Sequence, residues 1–272
     1  MAAQSATPLL KVEGLKQYFK VNKNFTVKAV DDVSFEIYPG ETYGLVGESG
    51  SGKSTLIKAA MGLLGSSGMV TRGDIWFEGK SLPDVPPKEM RRICGEKIGM
   101  IFQDCGASLS PTRTIGEQII ESMAAHRKVD VAEAKRAALE LFEKLHFQDS
   151  ERIWDSYPFE LSGGMNQRAG IAIAMLMNPA VLLADEPTSA LDMAVQRQVV
   201  EEMLHVREAF GTAIIIVTHD IGVVSAMADS IVVLSNGRVM EYAAAKDVLE
   251  NPQNDYTVKL LSAVPRLRRE KA

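Results

Sequence analysis

The sequence is poor in cysteine and lacks a long apolar run. Cys94 and Cys105 are its two cysteines among 272 residues, and they form neither a CxxC pair nor a metal-binding cluster. Unpaired thiols are typical of proteins kept in a reducing compartment. No apolar run approaches the roughly 20 residues that cross a bilayer, and the N-terminus lacks the basic start and apolar core of a secretory signal. We therefore expect a cytosolic protein.

A broad excess of positive charge is also missing. The formal net charge is −5, which argues against a nucleic-acid binder that relies on a generally basic surface. The apolar and charged fractions, 46% and 24%, are those of an ordinary soluble globular protein. A chain of 272 residues is long enough for one large domain that carries an insertion.

The clearest motif is the glycine-rich stretch from Gly47 to Thr55, GESGSGKST. The apolar run before it, which ends at Val46, is typical of a buried parallel strand, and Leu56 to Met61 has helical composition. Strand, glycine loop and helix in this order are the context that a phosphate-binding loop requires. The glycines let successive N–H groups surround phosphate oxygens, and the positive end of the following helix adds to that field.

Two side chains of this loop carry specific chemistry. Lys53 brings a full charge to the outer phosphates, and the Ser54 hydroxyl can ligate Mg²⁺. The residues expected to hold the nucleotide in this loop are Gly47, Ser49, Gly50, Ser51, Gly52, Lys53, Ser54 and Thr55.

Several other apolar strands end in polar side chains. Such strands precede Gln103, the adjacent carboxylates Asp185 and Glu186, and His219. The carboxyl ends of parallel strands meet at one edge of a sheet, where α/β proteins bind ligands. Asp185 is placed to hold Mg²⁺, and Glu186 to take a proton from an attacking water. His219 is suited to a terminal phosphate or a water. Gln103 has the reach to coordinate metal or orient water, although its position alone favours a solvent-facing loop residue.

Two further stretches indicate nucleotide contacts. Tyr18 precedes the phosphate loop and has a ring that can stack on a base, but spacing alone equally fits an aromatic packed on its own sheet. In Leu161 to Met165, LSGGM, Ser162 is a good N-cap, and Gly163 and Gly164 leave amides exposed at a positive helix end. This start of a helix is a second candidate anion site.

The middle of the chain has a different character. Thr114 to Met123 and Asp130 to His146 are amphipathic, and Asp130 followed by Glu133 fits a capping box. These segments predict a helical insertion between core strands. Near the end, Ser235 to Gly237 is a hairpin signal, and Pro265 to Lys271 forms a basic tail that we expect to be frayed.

The order of these motifs resembles the nucleotide-binding subunit of an ATP-binding cassette (ABC) transporter, from about Leu9 to Pro265. The matching stretches are Gly47 to Ser54 for Walker A, Gln103 for the Q-loop, Leu161 to Met165 for the signature, Val181 to Asp185 for Walker B, Glu186 for the catalytic glutamate, Ser189 to Asp192 for the D-loop, His219 for the switch histidine and Tyr18 for the base-stacking aromatic. The signature between Walker A and Walker B is the most specific of them.

This resemblance implies an α/β fold of the P-loop NTPase class, with a parallel core sheet, an antiparallel β subdomain and a helical insertion over approximately 104–178. The nucleotide-binding domain then covers 1–250, and a C-terminal helix and basic tail cover 251–272. The resemblance implies ATP and Mg²⁺ as cofactors, with Ser54, Gln103 and Asp185 at the metal. The catalytic residues that the resemblance implies are Glu186, His219, Gln103 and Lys53.

The finer resemblance is to the subfamily that powers bacterial uptake of peptides, nickel and metal chelates. It is carried by Phe102 to Asp104 running on to Gln118, by Tyr157 to Glu160 before the signature, and by Tyr256 to Pro265. Cys105 stands where that subfamily is expected to have proline. Some members carry a cysteine-rich iron–sulfur segment near the C-terminus, and because this chain has no cysteine there, we predict no cluster.

The resemblance also implies partners. Ser162, Gly163 and Gly164 of one subunit would close over ATP held by a second ABC subunit, with Asp192 in the D-loop beside them. Two membrane permeases and, indirectly, an extracytoplasmic solute-binding protein complete such importers. The chain would lie on the cytoplasmic face of the membrane and bind no nucleic acid. Alternatives are a soluble ABC-family ATPase acting on DNA or the ribosome, and a non-catalytic regulatory cassette; intact Glu186 and His219 argue against the latter.

Overall fold

The computed structural model describes residues 7–22, 25–64, 68–189 and 191–263, without the side chains of 68–71. In chain order, its strands are β1 (Leu10–Lys20), β2 (Thr26–Ile37), β3 (Thr42–Val46), β4 (Gly68–Phe77), β5 (Lys80–Ser81), β6 (Ile98–Ile101), β7 (Val181–Asp185), β8 (Ala213–Val217), β9 (Ser230–Ser235) and β10 (Arg238–Ala244). The helices are α1 (Lys53–Ala60), α2 (Pro87–Glu96), α3 (Cys105–Ser108), α4 (Ile115–Ala124), α5 (Val131–Lys144), α6 (Ser150–Asp155), α7 (Gly163–Met175), α8 (Met193–Phe210), α9 (Ile221–Met227), α10 (Ala245–Glu250) and α11 (Asp255–Ser262). Short 3₁₀ turns cover Leu82–Asp84 and Pro158–Glu160.

The strands form two sheets. One is antiparallel, with the order β2-β1-β4-β5. The other has the order β10-β9-β3-β8-β7-β6, and its strands pair in parallel except for the hairpin of β9 and β10. The predicted fold class, a parallel core sheet with an antiparallel subdomain and helices, is confirmed.

The parallel strands read as continuous apolar runs because both of their faces are covered. All five residues of β8 are buried. Along β7, Leu182 belongs to a core shared with helices of the middle segment, whereas Val181 and Leu183 belong to a core shared with the antiparallel sheet and α1. The core sheet therefore lies between two hydrophobic layers, and the ends of its strands are held in fixed positions.

The segment between β6 and β7 is helical, as predicted. Thr114 and Glu117 cap α4 reciprocally, because the Thr114 hydroxyl accepts from the Glu117 N–H and the Glu117 carboxylate accepts from the Thr114 N–H. The Asp130 carboxylate accepts from the first N–H groups of α5. The predicted limits of this insertion and the domain boundary after residue 250 stay predictions, and the predicted basic tail lies outside the described residues.

Candidate active site

The phosphate loop connects the end of β3 to the start of α1, and its backbone passes very close to two other strands. A Cβ at Gly47 would lie 2.1 Å from the Leu234 carbonyl oxygen, and one at Gly52 would lie 2.2 Å from that of Ala29. Gly52 also has φ +103°, in the left-handed region. Only glycine fits these positions, so the loop can curl tightly above the core sheet.

Lys53, the first residue of α1, is folded back over this loop. Its ammonium group donates to the carbonyl oxygens of Gly47 and Glu48, each at 2.8 Å. Burial lowers the pKa of Lys53, and the charges of Glu186 and Asp185 oppose that shift. The charge of Lys53 is thus held at the centre of the loop, where phosphate oxygens would replace the carbonyls as its partners.

Ser54 and Asp185, two of the predicted metal ligands, lie in direct contact. The Ser54 hydroxyl donates to Asp185 Oδ1 at 2.7 Å, and the Lys58 ammonium lies 4.0 Å from the other carboxylate oxygen. Asp185 is the last residue of the buried strand β7 and is itself buried. Two oxygen donors from different elements therefore converge at the first turn of α1.

Glu186 turns out of the strand and is contacted from both sides. Its φ of +47° is unusual for a residue other than glycine, and its N–H donates to the Val217 carbonyl of β8 at 2.8 Å. Gln103 Nε2 donates to one carboxylate oxygen at 3.3 Å, and His219 Nδ1 lies 3.4 Å from the other. The ends of β6, β7 and β8 thus bring three predicted catalytic side chains together.

Lys53, Ser54, Gln103 and Glu186 line one cavity of about 640 Å³, whereas Asp185 and His219 are not part of its lining. It is lined by Phe19, Val27, Lys28, Ala29, Ser49, Gly50, Gly52, Lys53, Ser54, Thr55, Gln103, Glu186 and Asn236. The phosphate loop, the Glu186 carboxylate and the Gln103 amide therefore face the same space.

Tyr18 does not line this cavity. Its hydroxyl donates to Asp31 Oδ1 at 2.7 Å, and Arg238 bonds the other oxygen of that carboxylate at 2.7 Å. The Tyr18 hydrogen bond and then Arg238 lower the pKa of Asp31 to about 2. Tyr18 thus has a local structural partner, and the cavity lining favours Phe19 over the predicted Tyr18 as the aromatic beside the nucleotide.

Sequence reasoning also missed Lys28 and Asn236. Asn236 lies in the predicted β9–β10 turn, but no local pattern places that turn beside the phosphate loop. The contact is made by the backbone: the Gly237 N–H donates to the Ser51 carbonyl at 3.0 Å, and the Asp31 N–H donates to the Gly237 carbonyl at 2.7 Å. The hairpin turn is therefore fixed between β2 and the loop.

The LSGGM residues stand apart from this cavity. Ser162 caps α7, its hydroxyl accepting from the Met165 N–H at 3.3 Å, and Ser162 and Gly163 are exposed. Gly164 faces α8 so closely that a Cβ would lie 2.6 Å from Val195 Cγ1. None of the three is among the residues that line the cavity.

Asp192 also lies outside the cavity lining. Its carboxylate caps α8 by accepting from the N–H groups of Ala194 and Val195, each at 3.0 Å.

Within the described ranges, no helix is long and apolar enough to cross a membrane.

Comparison with known proteins identifies the family of the chain. Residues 30–189, more than half of its length, match the family described as ABC transporter. The chain belongs to that family and is an ABC-type ATPase cassette.

Two relatives show which members of this family the chain resembles. The oligopeptide transport ATP-binding protein OppD of Salmonella typhimurium is 42% identical over 271 residues, covering 100% of this chain and 80% of OppD. AppD of Bacillus subtilis, also an oligopeptide transport ATP-binding protein, is 45% identical over 258 residues, covering 94% of this chain and 78% of AppD.

Solved structures have the same fold. A dimeric post-hydrolysis state of the ATP-binding cassette MJ0796, bound to ADP and Pi, superposes with a TM-score of 0.76 at 29% identity and covers 87% of this chain and 98% of its own. CbiO1 of Clostridium perfringens, part of the ABC transporter complex cbiONQ, has a TM-score of 0.76 at 28% identity, covering 90% of this chain and 91% of its own.

Proposed function

We propose that this chain is the ATP-hydrolysing subunit of a bacterial peptide importer. The observation that carries the proposal is the convergence of Gln103, Glu186 and His219 beside the phosphate loop at the ends of the core strands. Relatives named as oligopeptide transport proteins support peptides as the transported class. Nickel and metal chelates are the other predicted solutes, and an uptake experiment distinguishes their transport from that of peptides.

The loop binds the triphosphate through its backbone N–H groups and Lys53. The Lys53 ammonium donates to two carbonyl oxygens of the loop, so this buried charge has hydrogen-bond partners within the loop itself. Phe19 lines the same cavity and supplies the aromatic ring that would stack on the base. Together they orient the terminal phosphate towards Glu186.

The residues present fit Mg²⁺. Hard oxygen donors suit this ion, which takes one or two protein ligands together with substrate phosphates. Ser54 and Asp185 supply such donors 2.7 Å apart, and the Gln103 side chain has an amide oxygen at the same cavity. Bound there, Mg²⁺ would neutralise charge on the phosphate oxygens.

Glu186 is the general base in this proposal. A carboxylate at hydrogen-bond reach of a water can accept its proton as the water attacks the terminal phosphate. Gln103 and His219 hold the carboxylate from two sides, which restricts its orientation before substrate binds. His219, whose side chain is 64% exposed, is also free to contact the terminal phosphate.

A second cassette completes the site. The exposed Ser162 and Gly163 at the positive end of α7 offer N–H groups to an anion, yet they lie outside their own chain's nucleotide cavity. We propose that they reach the ATP bound by a partner cassette, with Asp192 near the same interface. ATP then binds the closed pair better than the open one, and hydrolysis removes that preference.

The closure is passed to two membrane permeases, on the cytoplasmic face of the membrane, and a solute-binding protein delivers the peptide from outside. The helices between β6 and β7 begin two residues after Gln103 and end before Asp185, so they are joined at both ends to the hydrolytic groups. This connection supports their role in the coupling.

The test is uptake by cells whose only copy of the chain is Glu186→Gln. We expect uptake of a labelled oligopeptide to be lost while uptake of radiolabelled nickel continues. Glu201→Gln, a change at an exposed carboxylate paired with Arg197 on α8, is the matched control and leaves both unchanged. Normal peptide uptake with Glu186→Gln, or loss of nickel uptake alone, would contradict the proposal.

A further inference from the structure

The C-terminal helix α11 touches the phosphate loop directly. The backbone N–H of Glu48, an exposed loop residue, donates to the Tyr256 hydroxyl oxygen at 3.2 Å. The two residues are 208 apart in sequence. Nucleotide binding through the loop's own groups does not require this bond, so the contact of Tyr256 with the loop is additional to the proposed binding groups.

The position of Tyr256 is fixed by a network of local bonds. Its N–H donates to the side-chain oxygen of Asn254, the N-cap of α11, at 2.9 Å, and Asn254 Nδ2 donates to the Met240 carbonyl of β10 at 3.0 Å. The Glu241 carboxylate, also on β10, accepts from the N–H groups of Gln253 and Asn254 at 2.9 and 3.2 Å. Burial favours the neutral form of Glu241, but the donors around it, the Gln253 N–H first among them, outweigh burial and its pKa is lowered. The start of α11 is therefore fastened to the core sheet.

The ring of Tyr256 has a second role, in packing. Tyr256, Leu260 and Ile221 pack against a small core that contains Val46 and Val224. Val46 immediately precedes the phosphate loop, and Ile221 opens α9 two residues after His219. The ring thus supports the base of the loop, while the hydroxyl bonds its backbone, and the two contributions are separable by removing the hydroxyl alone.

We propose that Tyr256 is a positioning residue for the phosphate loop. The hydroxyl restrains the Glu48 N–H, so the loop stays in its cradle shape and less conformational entropy is lost when a triphosphate binds. The inference rests on the proposed nucleotide site. A restraint of this kind acts equally on substrate and transition state, so it sets the affinity for MgATP and leaves the turnover number unchanged.

The test is Tyr256→Phe in the full chain, with the Kd for MgATP measured by calorimetry and ATP turnover measured at saturating MgATP with the membrane partners present. We expect the Kd to rise roughly twofold to tenfold, the range of one neutral hydrogen bond, with turnover unchanged. The matched control is Tyr242→Phe, which removes a hydroxyl that donates to the Glu36 carbonyl at 3.2 Å and not to the loop. Its Kd stays at the wild-type value.

An unchanged or lower Kd in Tyr256→Phe would overturn the inference, as would an equal rise in Tyr242→Phe. A fall in saturated turnover with unchanged Kd would also overturn it, because the residue would then act on the chemical step. A wild-type chain that binds no MgATP is a different failure, since it removes the nucleotide site itself.

Discussion

At the scale of single residues, two neighbouring aromatics of β1 have different surroundings. The Tyr18 hydroxyl donates a hydrogen bond to Asp31, whereas Phe19 lines the cavity beside the phosphate loop. Simple alternation along a strand does not decide between them, because the pairing of β1 with β2 shifts register between Gln17 and Tyr18. Such an irregularity changes the face on which the next side chains lie.

Exchange of these aromatics tests the assignment. Phe19→Ala removes the stacking surface and is expected to raise the Kd for MgATP roughly fivefold to a hundredfold, as for loss of one base–aromatic stack. Tyr18→Phe loses only the bond to Asp31 and is expected to bind MgATP with the wild-type Kd. The reverse result, with Tyr18→Phe weakened and Phe19→Ala normal, would restore the assignment made from the sequence.

The surroundings of Glu202 predict how the stability of the protein depends on pH. This residue of α8 is 3% exposed, and burial raises its pKa to about 7, although the Arg168 guanidinium 3.6 Å away opposes the shift. Its Oε2 has no hydrogen-bond partner among the described residues. The folded state holds the Glu202 proton more tightly than the unfolded state does. The contribution of Glu202 to the free energy of unfolding is therefore complete below the pKa that Glu202 has in the unfolded chain, and it is lost as the pH rises to about 7.

The matching measurement is the free energy of unfolding of wild type and Glu202→Gln between pH 4.5 and 8. A neutral amide cannot titrate, so the difference between the two proteins is expected to move in favour of the variant as pH rises and to level off above pH 7. A difference that is independent of pH would show that Glu202 is not perturbed.

At the scale of elements, α4 and α6 meet at a glycine. A Cβ at Gly116 would lie 2.4 Å from Cε2 of Trp154, whose ring is buried and cannot move aside freely. Gly116→Ala is therefore expected to lower the free energy of unfolding by about 1–3 kcal/mol, the usual cost of overpacking, although alanine favours a helix. Gly106→Ala, where the nearest atom is 3.4 Å away, is the control. A stabilised Gly116→Ala variant in denaturant titration would refute this packing.

The elements themselves were largely predictable. The apolar strands that the sequence predicts before Glu186 and His219 appear as β7 and β8. Capping was predicted less well. Asp130 does cap α5, but Glu133 lies 3.5 Å from Arg127, and the reciprocal box forms at Thr114 and Glu117 instead. Spacing identifies residues that can cap a helix, but the partner that a long side chain takes is decided by its tertiary surroundings.

At the scale of the whole molecule, the candidate site combines local and distant information. Walker A and the polar ends of β7 and β8 were predictable, because parallel strands deliver their last residues to one edge. The contacts of Asn236 and Tyr256 with the loop region were not, since they join segments with no shared local pattern. The separation of the LSGGM helix start from its own cavity is likewise a property of the folded chain.

In the proposed site, the ends of the core strands bring an anion pocket, a carboxylate suited to Mg²⁺ and a proton acceptor around one triphosphate. The measurement that tests this arrangement most directly is MgATP binding and phosphate release by Glu186→Gln, with the membrane partners present. Glu186→Gln is expected to bind MgATP with the wild-type Kd and to turn over about a hundredfold to ten-thousandfold more slowly, because a general base contributes by that factor. Rapid turnover by this variant, or failure of the wild-type complex to bind MgATP, would contradict it.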